Sequence, residues 1–132
     1  MIQRHDSIIV QVVSNLLVPF IQMYALYVLF HGHYSPGGGF QAGVLFGAAI
    51  ILEMLIGTKR ELKRFSIQRE TLAAAAGVGI FLLIGLAGLI AGAYLFDYEK
   101  NVFLGSDPAM RRYWSILIAE VGVTFTVAMT LV

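Results

Sequence analysis

Four stretches of this chain, each about 20 apolar residues long, contain no lysine or arginine: residues 7–30, 40–57, 71–96 and 113–132. A helix rises about 1.5 Å per residue, so some 20 residues cross the roughly 30 Å of bilayer hydrocarbon. In hydrocarbon every backbone N–H and C=O must be paired inside the protein, which leaves helices or a closed barrel. No stretch of strand length alternates apolar and polar residues, as barrel strands would. The sequence therefore predicts an all-α integral membrane protein of four transmembrane helices. Composition agrees: 58% of residues are hydrophobic and 13% charged, against about 45–50% and about 25% in soluble domains. The first stretch is too long for a signal-peptide core, mixes Arg4 with Asp6 in its flank, and precedes no small-residue cleavage site. The absence of cysteine excludes disulfides and thiolate metal sites, and a net charge of +1 gives no electrostatic reason to bind nucleic acid.

The few charges fix an expected orientation. Arg4, Lys59, Arg60, Lys63, Arg64 and Arg69 fall on one side of the spans, and Lys100, Arg111 and Arg112 on the other. The positive-inside rule then places both termini in the cytoplasm. Tyr24, Tyr27, Tyr34, Tyr94, Tyr98, Tyr113, Trp114, Phe96 and Phe103 gather toward the opposite side, as in an interfacial aromatic belt. Thr58 and Glu61 in the basic loop have capping-box spacing. That loop reads either as a plain topology anchor or as a short helix on the cytoplasmic face. No repeat or linker divides residues 1–132, which read as one membrane domain.

Polar residues inside the spans are the functional candidates, because an ionisable group at membrane depth costs at least about 2.5–3.5 kcal/mol unless it faces protein or water. Glu120 lies within the fourth stretch, with Thr124 one turn away to share a hydrogen bond. No Lys or Arg inside the four stretches can pair with it, so an ion path or an inter-subunit contact is expected. Glu53 lies about one turn from the end of the second stretch, beside Lys59 and Arg60. It reads either as a step of the same path or as an interfacial charge. In the first stretch Gln11, Asn15 and Gln22 fall within about 40° of helix arc, and Pro19 has no N–H for the Asn15 carbonyl. Amides in a bilayer usually join helices. Small residues are expected to do the same: Gly39, Gly43 and Gly47 form one ridge, and Gly77, Gly88 and Gly92 with Ala73 form another.

Between the first two stretches runs His31-Gly32-His33-Tyr34-Ser35-Pro36-Gly37-Gly38-Gly39-Phe40-Gln41-Ala42-Gly43. Three glycines after a proline suit a tight turn that side chains would obstruct, and the amides opening the second helix suit an anion or a carboxylate. Two histidines without a third ligand do not make a metal site.

This string, with Ala119–Val123 in the last span, resembles the MnhB family, the B-type small chains of the Mrp-type multisubunit Na+/H+ antiporters. The same module occurs in energy-converting membrane hydrogenases. The resemblance implies a non-catalytic membrane subunit without a cofactor, joined to other small subunits and to large antiporter-like chains, in a complex that exchanges Na+ for H+. It carries Gly32, Pro36, Gly37, Gly38, Gly39, Phe40 and Gly43, with His33 among them, as the signature loop, and it matches Glu120 to a carboxylate of the last span. Glu53 rests on the physical argument alone. A redox-driven hydrogenase-type complex is the alternative reading. An independent small drug/H+ exporter is a weaker one, because such exporters carry their carboxylate in the first span and this chain does not.

Overall fold

The computed structural model describes residues 8–32, 37–56, 66–101 and 104–132. It contains helices α1 (Ile8–His31), α2 (Gly39–Ile56), α3 (Ile67–Ile90) and α4 (Pro108–Leu131), with one 3-10 turn at Tyr98–Lys100. All four helices are long and apolar enough to cross a membrane, as the sequence predicts. No strand occurs among the described residues. Arg4, residues 57–65 of the basic loop with the capping box, His33, Tyr34, Pro36 and Phe103 lie outside the described residues, whereas Arg69 lies in the first turn of α3.

Three boundaries differ from expectation, each for a local reason. Helix α3 starts four residues before Thr71, because the backbone carbonyl of Ser66 accepts from Arg69 and Glu70 N–H and opens the helix there. It stops at Ile90, not Phe96. Gly92 takes φ +76°, a left-handed conformation suited to glycine, and the chain turns back. Phe96 then lies against Gly85, its N–H donating to the Gly85 carbonyl at 3.2 Å. Helix α4 starts five residues before Tyr113, at Pro108, whose fixed φ suits a first helical turn. That added turn carries Arg111, which holds the preceding loop by donating to the carbonyls of Gly105 (2.6 Å) and Ser106 (3.2 Å). Arg112 pairs with Glu99.

The helices stand side by side in the order α1, α2, α4, α3. Small residues make up much of the interior: Ala25, Ala42, Ala49, Ala119 and Ala128 are buried beside Val28, Leu29 and Leu117, while Leu16, Phe20, Met23, Leu83 and Phe125 are exposed. Lipid is as apolar as leucine, so close backbone approach and interhelical hydrogen bonds hold such helices together. Between α3 and α4 the approach is closest at Gly77 and Gly122. A β-carbon on Gly77 would lie 2.5 Å from the Gly122 carbonyl oxygen, and Thr126 Oγ1 donates to the Ala74 carbonyl across the interface at 3.2 Å.

Candidate functional site

The α2 glycine ridge is seated along α4. Gly39 rests on the main chain of Glu120. A β-carbon on Gly43 would meet Val127 Cβ at 2.7 Å and the Thr124 carbonyl at 2.9 Å, and one on Gly47 would meet Leu131. Both helices therefore run in the same direction, but out of register. Glu120 is 12 residues into α4, so α2 begins about 18 Å along its neighbour. Gly32, Gly38 and Gly39 are consequently held against the middle of α4.

Glu120 occupies that junction. A β-carbon on Gly32 would lie 2.7 Å from Gly38 Cα and 2.9 Å from Glu120 Oε1, and one on Gly38 would lie 3.4 Å from the same oxygen. The carboxylate thus fills space left by missing side chains, and its Oε2 is buried. Gly38 has φ +111°, which an L residue adopts only with strain. Its N–H reaches the Val28 carbonyl at 3.4 Å and its carbonyl accepts from Ala42 at 3.0 Å, tying the end of α1 to the start of α2. A β-carbon on Gly37 would come 3.1 Å from that Val28 carbonyl.

Thr124, 5% exposed, locks the junction from below. Its Oγ1 donates to the Glu120 carbonyl within α4 at 2.8 Å and to the Gly39 carbonyl of α2 at 3.0 Å, one hydroxyl proton shared between two acceptors. His31 closes the end of α1, its ring stacked on Tyr27 at 4.1 Å and Nδ1 3.1 Å from the Tyr27 carbonyl.

The structure brings Gly32, Gly37, Gly38, Gly39, Gly43, Glu120 and Thr124 into one site, and Gly47 into the same interface. Phe40 is exposed. Glu53 stands apart: it is exposed and lies about 21 Å along α2 from Gly39. Leu131 of α4 sits against Gly47, six residues before Glu53. Gln11 and Asn15 are exposed and Gln22 is half-buried.

Two glycines expected to pack helix on helix do otherwise. Gly88 lies under the returning chain, where a β-carbon would meet the Tyr94 carbonyl at 2.8 Å. Gly92 lies past the end of α3, and a β-carbon there would find nothing within 4 Å. Its role is the turn, not packing. Sequence reasoning also passed over Thr126, which the small residue four positions before it (Gly122) signals. It missed the buried Asn101–Ser115 hydrogen bond of 3.0 Å, for which no local pattern gives notice.

Among the described residues, no three His, Asp or Glu side chains converge as metal ligands would. What the site offers is one carboxylate, set in glycine backbone, at mid-helix depth in a membrane-spanning bundle. Fold and site together define a multi-pass helical membrane protein whose two helical hairpins join around an embedded acid. The chain belongs to the MnhB family: the family model described as a domain related to the MnhB subunit of Na+/H+ antiporter matches residues 9–132. It is 25% identical over 136 residues to the B-type Na(+)/H(+) antiporter subunit of Bacillus subtilis, covering 98% of this chain and 95% of the relative. Identity to the subunit of the same name from Alkalihalophilus pseudofirmus is 26% over 135 residues, covering 97% and 94%. A putative antiporter subunit mnhB2 of Staphylococcus aureus is 26% identical over 127 residues, covering 94% of this chain and 88% of that protein.

Proposed function

We propose that this chain is the B-type small subunit of a multisubunit Na+/H+ antiporter in the cytoplasmic membrane, with both termini in the cytoplasm. In the assembled complex, large antiporter-like chains carry the main proton path, and Na+ leaves the cell in exchange for H+ under the proton-motive force. Glu120 is the ionisable group this subunit contributes. A carboxylate releases a proton and accepts a cation at the same oxygens, which is the elementary exchange such a path requires.

The observation that carries this reading is the position of Glu120 at mid-α4, pressed against the glycines of the signature loop. A structural helper would have no need of an acid there, and amide or apolar residues would pack as well. Support for the antiporter comes from relatives that bear the name of its B-type subunit along nearly the whole chain.

The test is Glu120→Gln in the complete complex, assayed as Na+-dependent proton movement in everted membrane vesicles. Loss of exchange with the complex recovered at normal yield supports a role in translocation. Normal exchange would assign Glu120 to structure alone. A tagged parent chain, extracted in mild detergent, should bring down large antiporter-like chains without iron–sulfur partners.

A further inference from the structure

Amides inside a bilayer usually join helices, yet those of α1 join nothing among the described residues. Side chains of Gln11, Asn15 and Gln22 form no hydrogen bond with any described residue, although each carries an amide donor and an acceptor. All three lie in about a 40° arc beside the buried line of Ser14, Val18, Ala25 and Val28 that faces α2. The Asn15 carbonyl belongs to the same stretch of helix and is denied its usual donor by Pro19.

For Gln11, helix length explains why no described residue reaches it. The turn at Gly32 and Gly38 pins α1 to α2 at one end. From there α1 runs 24 residues and α2 only 18, so α1 extends about 9 Å further. Gln11 lies beyond the end of α2, in a turn where Ile8, Ile9, Val12 and Val13 are all exposed. Gln22 lies about 14 Å from His31, well inside the bundle. Lipid chains satisfy none of these groups, and water does not suit the four apolar residues around Gln11.

We infer that the Gln11–Asn15–Gln22 stripe of α1 is an interface for a transmembrane helix of another subunit, one that presents hydroxyl or amide side chains at matching spacing. This rests on the reading of the chain as part of a multisubunit complex. Hydrogen bonds of this kind contribute about 0.6 kcal/mol each on average, so three of them fix register and partner choice while close packing supplies the rest of the association.

The chain has no cysteine, so a single introduced cysteine is a unique chemical handle on it. In the native complex, Asn15→Cys and Gln22→Cys would each be labelled with a benzophenone maleimide and photolysed in the membrane. Phe20→Cys, about 160° around the helix from Gln22 and 61% exposed, is the comparison. The expected result is an adduct to a different subunit from both stripe positions, at least several-fold above that from Phe20. Leucine at both Asn15 and Gln22 should lower the recovered partner subunits about five- to tenfold, with serine at both restoring most of the yield.

Adducts only to lipid, equal adducts from Phe20, or a crosslinked pair of copies of this chain would each overturn the inference. So would full partner recovery with the leucine pair. An intact complex with a silent stripe defeats this inference alone. A parent chain that purifies without partners defeats the multisubunit reading and this inference together.

Discussion

Gly39 and Glu120 share one point of contact: the first residue of α2 rests on the main chain of the acid at the centre of α4, with no room for a β-carbon between them. That contact sets the depth of the α1–α2 hairpin. It also brings the signature glycines onto a carboxylate with a buried oxygen.

Alanine at Gly39 and at Gly38 should therefore fail for different reasons. At Gly39 the new methyl meets α4 backbone, which cannot yield, and about 1–3 kcal/mol of overpacking is expected. At Gly38 the nearest atom would be Glu120 Oε1 at 3.4 Å, an ordinary contact, so the cost is the φ of +111°. Gly38→Ala should lower stability by about 1–2 kcal/mol. Gly38→Leu should disturb assembly or exchange further. Thermal unfolding of the detergent-solubilised complex, read beside its yield, checks both.

Thr124→Val removes the hydroxyl and keeps the shape. It leaves the Gly39 carbonyl without its second partner and should cost about 1 kcal/mol, with Thr124→Ser close to parent. A valine variant as stable as the parent would mean that the α2–α4 contact is held by packing alone.

Glu53→Gln should leave exchange near the parent level while Glu120→Gln abolishes it. The first acid is exposed at the end of α2, and the second is enclosed by the helix junction. Equal losses in the vesicle assay would place both acids on the path.

Gly77→Leu should separate α3 from α4, because its side chain would enter Gly122 and Thr126. The expected outcome is loss of the folded chain rather than a selective loss of transport, read as absence of the subunit from membranes. Gly79→Leu, two residues on in an open position, should accumulate normally.

Burial raises the Tyr98 phenol above its ordinary value of 10.0. The folded chain favours the neutral phenol, so this contribution to stability is complete below pH 10 and declines as alkali titrates the folded form. Absorbance titration of Tyr98→Phe should lack a late-ionising phenol that the parent shows.

The four spans were legible because the lipid requirement is written in consecutive residues: length, apolarity and absence of Lys or Arg. The small residues facing one another at α2 were legible for the same reason, since Gly39, Gly43 and Gly47 recur at helical spacing. The end of α3 was not. Nothing in the run through Phe96 interrupts its apolarity, and only the return of Phe96 onto Gly85 shows where the helix stops. Gly92 was misread with it, because a glycine at helical spacing looks the same whether it packs or turns.

The sequence by itself determined that this protein lives in a membrane, how many times it crosses, and which acid lies deep, because each follows from residues adjacent in the chain. Tertiary structure decided which partner each group meets. The helices pair in the order α1, α2, α4, α3, with α2 beginning halfway along α4, so the loop glycines and Glu120 converge across more than 80 positions while Glu53, Gln11 and Asn15 are left exposed. Register between helices depends on which small residues admit a neighbour's backbone, and that is a property of two surfaces in contact, not of either sequence alone.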